Sequence, residues 1–157
     1  MKITLRNIPE TGAVFEWPMA GETLRQWLAD HPEILSVESG GARVECSRIG
    51  QLVTVRGQAR ISLTFICSRC AEETKTDWTV PIKMVLAPHN MRTATTTEVE
   101  DENTGFHNGR EIGLDAIVLE QVALATPMIL LCKPDCRGLC PACNANLNNG
   151  PCPCGAR

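Results

Sequence analysis

An α+β fold is what this sequence predicts: mainly an antiparallel β-meander, with a few helices and a cysteine-rich C-terminal tail. Three observations predict it. From Arg43 to Leu86 the chain is rich in β-branched residues and alternates in polarity, the period-2 mark of half-buried strands. Two segments, "GETLRQWLAD" and "GLDAIVLEQVALATP", carry apolar residues at helical spacing. The third is the stretch "CKPDCRGLCPACNANLNNGPCPC", which places six cysteines between Cys132 and Cys154.

Taken in order, "KITLRNI" alternates Ile3 and Leu5 with polar residues and predicts a strand. Leu24, Trp27 and Leu28 then define a helix face, ended by His31-Pro32. The runs "ARVECSRI", "QLVTVRGQARISLTFIC" and "TKTDWTVPIKMVL" form the meander, broken by Gly50, Gly57 and the "CSRC" turn. From about 87 to 109 apolar residues nearly vanish, and Thr93 to Thr97 precede Glu98, Glu100, Asp101 and Glu102, which predicts a long flexible acidic loop. Leu114, Ile117, Val118, Val122 and Ala125 mark a second helix, stopped at Pro127. "MILLC" predicts a short strand. The organisation expected is an α+β domain over 1–131 and a cysteine-rich metal-binding tail over 132–157.

A chain of 157 residues suits one domain with one core. With three Trp, three Phe and no Tyr, that core must rely on Leu, Ile and Val. No apolar run follows Lys2, and no stretch is long enough to span a bilayer, so a cytoplasmic protein without a membrane partner is expected. Thiols stay reduced there. The nine cysteines are also an odd number. Metal ligation is therefore a better reading than a disulfide framework.

The cysteines fall into two sets. Cys67-x2-Cys70 is a knuckle, a tight turn that aims two sulfurs at one ion. Cys132-x3-Cys136 supplies its other half, provided the chain returns beside the "CSRC" turn. Cys140, Cys143, Cys152 and Cys154 form the second set within the tail, leaving only Cys46 as a core thiol. Two four-thiolate zinc sites are expected. Outside its cysteines the tail offers chiefly Leu139 and Leu147, too little apolar surface to order twenty-six residues, so metal must supply that folding energy. An iron–sulfur cluster uses the same ligands and stays open as an alternative. A thioredoxin-like redox pair needs a helix after "CSRC", where the sequence places strands.

His31, His89 and His107 fit no ligand spacing and read as solvated loop residues. No hydrolase, nucleotide-binding or metalloprotease motif is present, so neither an enzyme nor a small-molecule substrate is expected. Arg43 to Lys75 carries six basic and three acidic residues, whereas Glu98 to Glu111 carries five acids against Arg110. Lys133, Arg137 and Arg157 face only Asp135 in the tail. Basic residues beside the knuckles, with Arg69, Lys133 and Arg137 as the candidates, are where an RNA backbone would dock.

"CSRC" after a meander, an acidic loop, the "GLDAIVLEQVALATPM" helix and the cysteine tail together resemble the bacterial YceD family, which has organellar plant relatives. The resemblance runs from about Arg43 to Cys154. Cys67 and Cys70 match its C-x-R-C pair, and Cys132 and Cys136 match the thiols after its helix end. Leu139, Cys140, Pro141, Cys143, Leu147, Asn148 and Cys152 match its tail pattern. Asn144 stands where the family commonly has Gly; Asn tolerates left-handed φ, so the knuckle should survive. The resemblance implies a factor for 23S ribosomal RNA accumulation and large-subunit biogenesis, partnered by ribosomal RNA or a pre-large-subunit particle. The competing expectations are a zinc-knuckle adaptor that grips a protein partner, and a redox-sensing zinc protein.

Overall fold

The computed structural model describes residues 1–90, 103–152 and 154. Its elements are β1 (Lys2–Thr4), β2 (Ala13–Met19), α1 (Gly21–Trp27), β3 (Ile34–Ile49), β4 (Leu52–Ile66), β5 (Glu73–Pro88), β6 (Thr104–His107), β7 (Glu111–Gly113) and α2 (Leu114–Ala125). Strands β2, β3, β4 and β5 run as an antiparallel meander, and β6 adds to the β5 edge in parallel. A small separate ribbon pairs β1 with β7. No helix among the described residues is long and apolar enough to cross a membrane.

The sheet is two-faced because its side chains alternate. On β4 the odd positions Val53, Val55, Ala59, Ile61 and Leu63 are buried, while Arg56 and Arg60 between them are exposed. Ala42, Val44 and Cys46 of β3 and Val80, Ile82, Met84 and Leu86 of β5 continue the buried face. Leu24 and Leu28 from the α1 region, and Leu114, Val118, Leu119 and Val122 from α2, close the same core. Burial pushes the Cys46 thiol up to about 11, as befits a core side chain.

Several expectations shift. Strand β2 lies in a stretch the sequence reading passed over, and β3 begins eight residues before "ARVECSRI". Gly57 does not break the meander but sits inside β4. A Cβ there would lie 2.1 Å from the Arg43 carbonyl oxygen, so the glycine serves a close approach of two strands. The Pro81 nitrogen, inside β5, costs no ladder bond because β6 pairs only with Val85–Pro88. Trp27 is 43% exposed, leaving Leu24 and Leu28 to seat α1. The "KITLRNI" strand stops at Thr4, where a 3-10 turn over Leu5–Asn7 replaces it.

The loop expected over 87–109 is ordered at both ends, by β5 to Pro88 and by β6 from Thr104. Its acidic run, Glu98 to Glu102, lies outside the described residues. His107 is buried rather than solvated. Its Nε2 lies 2.8 Å from the Gln51 carbonyl oxygen and its Nδ1 accepts from Gly109 N–H at 3.0 Å, which fixes the Nε2-protonated tautomer.

Candidate metal centres

The hairpin between β4 and β5 is the "CSRC" turn. Cys67 N–H donates to Glu72 O (2.9 Å) and Ala71 N–H donates to Cys67 O (2.9 Å). Closing the turn this way forces Ala71 to φ 58°. The tail repeats the same scheme: Cys140 N–H donates to Ala145 O (2.9 Å), Asn144 N–H donates to Cys140 O (2.9 Å), and Asn144 has φ 57°. Both turns are one device, with the residue after the second cysteine in the left-handed region. Asn144 fills that position as expected; Ala71 fills it at a steric cost.

The segment after α2 does return to the first knuckle, though not as a strand. Met128 to Cys132 forms no ladder, because its backbone bonds go to the turn instead. Ser68 N–H donates to Leu130 O (2.8 Å), Leu130 N–H to Ser68 Oγ (3.2 Å), and Cys132 N–H to Cys67 Sγ (3.3 Å). This docking brings Cys132 and Cys136 to Cys67 and Cys70. The Sγ pairs Cys67–Cys136 and Cys70–Cys132 are 3.7 and 3.6 Å apart. All four sulfurs lie within 4.8 Å of one another. Three of these cysteines are buried, with Leu131 packed against them.

The second quartet collects Cys140, Cys143, Cys152 and Cys154 within the same limit. It is tighter and wetter. Its Sγ separations include 3.6 Å for Cys140–Cys154, 3.2 Å for Cys143–Cys152 and 2.8 Å for Cys152–Cys154, and Cys143 and Cys154 are exposed. Both groups could hold a metal ion. Ligands about 2.3 Å from a tetrahedral zinc stand roughly 3.8 Å apart, close to the first quartet's spacing.

The thiol acidities diverge within each group. Burial raises the Cys67 thiol, but N–H donation from Cys132, Cys70 and Arg69 outweighs it and brings it to about 6. Burial and the neighbouring sulfurs push Cys132 up to about 12. The Ala142 N–H above all lowers Cys140 to about 6, whereas Cys154 and Cys143 push Cys152 up to about 12. Adjacent sulfurs resist joint ionisation until a cation joins them.

Arg69, Lys133 and Arg137 are all exposed and all flank the first quartet. Arg69 reaches from the knuckle to donate to Cys136 O (3.1 Å), and Cys136 N–H donates to Lys133 O (3.1 Å). The structure thus gathers the three basic residues at one end of the sheet.

Two side chains escaped the reading of ligands and charges. Ser68 anchors the returning segment. Asn148 joins the quartets: its Nδ2 donates to Cys136 Sγ (3.3 Å) while its Oδ1 accepts from Arg137 N–H (2.9 Å). Donation from Asn148, above all, lowers the Cys136 thiol. The signal was available in "NANLNNG", where carboxamides crowd between two ligand pairs. The first quartet also straddles residues 131 and 132, since half its ligands lie on each side.

Residues 55–157 match the model of a family described as large ribosomal RNA subunit accumulation protein YceD. Over 124 residues the chain is 32% identical to an uncharacterized protein of Mycobacterium bovis and to two of Mycobacterium tuberculosis. The alignments take in 76% of this chain and 58% of each relative, so the chain spans little more than half the length of those relatives. No solved structure matches. The family match begins within β4 and includes both quartets.

Two outcomes follow from the knuckle geometry. Ala71→Gly removes a left-handed alanine and should stabilise the protein by about 1 kcal/mol in denaturant unfolding, the relief exceeding the entropy glycine adds to the unfolded chain. Asn148→Ala should weaken metal retention at the first quartet by roughly 10–100-fold in chelator competition. Asn148→Asp, which loses the donor, should do no better.

Proposed function

Because the chain belongs to the family of large ribosomal RNA subunit accumulation proteins, YceD, we propose that it is a non-enzymatic, cytoplasmic zinc-binding factor supporting 23S ribosomal RNA accumulation and large-subunit biogenesis. The observation that carries this reading is the first quartet with its basic surround. Four sulfurs tie the sheet to the segment after α2, and Arg69, Lys133 and Arg137 stand around them facing solvent. Zinc bound by Cys67, Cys70, Cys132 and Cys136, and again by Cys140, Cys143, Cys152 and Cys154, would order the tail and hold those cations in place. Phosphates of ribosomal RNA, free or in a pre-large-subunit particle, are the partner this arrangement suits. Thiolate knuckles of this kind supply structure and no reaction.

A second reading has its own observation. Leu124 near the end of α2, and Met128 and Ile129 in the segment that leads from it to the first quartet, are 74%, 87% and 62% exposed. Apolar surface of this kind favours a protein contact, so the adaptor reading is the one to test against.

Protein purified without added metal should carry two zinc ions per chain by elemental analysis, one for each quartet. Iron with visible absorbance, or less than one zinc in reduced protein, would overturn the zinc assignment. Replacing Arg69, Lys133 and Arg137 together by Gln should weaken binding to large-subunit ribosomal RNA and flatten its log–log salt dependence by up to roughly two to three units. Wild-type behaviour in that triple variant would remove these residues from the RNA contact and leave the adaptor reading in place.

A further inference from the structure

The outer face of the β2–β5 sheet carries a second group of cations, away from the quartets. Arg56 of β4 stands directly opposite Lys83 of β5. Both are exposed, and neither has an ion pair or hydrogen bond among the described residues. Like charges placed opposite one another cost a sheet stability. Arg60 lies four residues further along β4 on the same face, about 13 Å away at strand spacing. Between their rows runs the register Glu16, Arg43, Gln58, Pro81, and Arg43 donates to Glu16 at 3.1 Å. Gly41, lacking a side chain, leaves an open hollow of about 510 Å³ bordered by Pro18, Arg43, Gln58 and Arg60. The acids on this face are Glu16, already paired with Arg43; Glu45, opposite Arg56; Asp77, which accepts from Ser62 Oγ at 2.5 Å; Glu38, paired with Lys75; and Glu73, opposite Ile66 at the far end of the sheet.

We propose that this face binds the sugar–phosphate backbone of double-helical RNA. The inference rests on the ribosomal RNA reading above and adds to it a second surface and the form of RNA recognised. Guanidinium groups offer forked donors suited to phosphate, and Gln58 and Thr79 beside them offer partners for 2′-hydroxyls. No aromatic side chain points outward from β2 to β5: Phe15, Trp17 and Trp78 all pack on the core side. A surface for single strands needs such rings to stack bases, and this one lacks them. The face is also separated from Arg69, Lys133 and Arg137 by a self-neutralised band, where Ser62 bonds Asp77 and Lys75 pairs with Glu38. The two basic surfaces are therefore separable by mutation.

The test uses the full chain with its metal retained and two probes, a mixed-sequence RNA duplex and one of its strands alone, each titrated across salt. Wild type should prefer the duplex. Arg56→Gln, Arg60→Gln and Lys83→Gln combined should lower duplex affinity by about tenfold or more and flatten the salt slope by up to about three units. Arg56→Lys with Arg60→Lys should keep the slope, and Glu45→Gln should tighten binding without any loss of cations. That last variant decides the matter even if the triple variant folds poorly. Equal duplex binding by wild type and the folded triple variant, no gain from Glu45→Gln, or preference for the single strand would each overturn the proposal. Retained duplex binding with loss of a co-purifying ribosomal protein would make the face a protein interface and overturn it too. If only the Arg69, Lys133 and Arg137 variant weakens duplex binding, this face is wrong while the proposed function stands. If wild type binds neither probe, both fall.

Discussion

The rest of the molecule hangs on the approach of Cys132 to Cys70, 62 positions apart in the chain. Apolar contact contributes through Leu130, buried in the core, and Leu131, packed against the cysteines, while Met128 and Ile129, which lead into the approach, are mostly solvent-exposed. Added to this is a set of short polar bonds from the returning backbone to the knuckle, followed by four sulfurs facing one another. Closing a long loop costs entropy that grows only slowly with length, so one tight ion at the end of it is enough to hold it shut. This arrangement holds α2 in two ways: its buried face belongs to the core, and its C-terminal continuation runs to the cysteine cluster.

A metal held by the same four cysteines would account for the basic residues around it being exposed without acidic partners. Four thiolates around a divalent ion would carry a net negative charge, and Arg69, bonded to Cys136 O, stands beside them. The thiols titrate unevenly because they crowd one another. Since ions bind thiolates, affinity for metal rises with pH and binding expels protons.

Much of this was legible in the sequence where chemistry is local. The knuckles declare themselves by spacing, α2 by its 3.6-residue period, and the central strands by alternation. The pairing of Cys132 and Cys136 with the distant "CSRC" pair was legible too, because four ligands are needed and only these remained. Non-local facts were not. Strand β2 hides in "AVFEWPM", where Glu16 and Pro18 dilute the pattern, yet Phe15, Trp17 and Met19 face inward once β3 lies alongside. Gly57 looks like a breaker until its neighbour is seen to be the Arg43 carbonyl. "MILLC" has a strand's composition, but its hydrogen bonds are taken by a turn, and composition does not say where backbone bonds go. His107 gave no sign of burial because the carbonyl it needs belongs to Gln51.

The two centres are not equivalent, and Asn148 shows their order. The first quartet fastens the core to itself through segments that fold with the sheet. The second fastens only the tail, through the Leu139–Asn146 bridge, the Leu147 N–H bond to Gly138 O, and the carboxamide of Asn148. Gly138, at φ 74°, lets that tail run close against the Arg69 carbonyl, where a Cβ would come within 3.1 Å. Ordering of the second knuckle therefore presents a donor to a ligand of the first. The reverse also holds, because Asn148 is positioned by the Arg137 N–H, one residue beyond Cys136. A metal in either quartet would favour the geometry of the other, so the tail is more than an appendage: through Asn148 it supplies a hydrogen bond to a thiol of the quartet that ties the segment after α2 to the sheet.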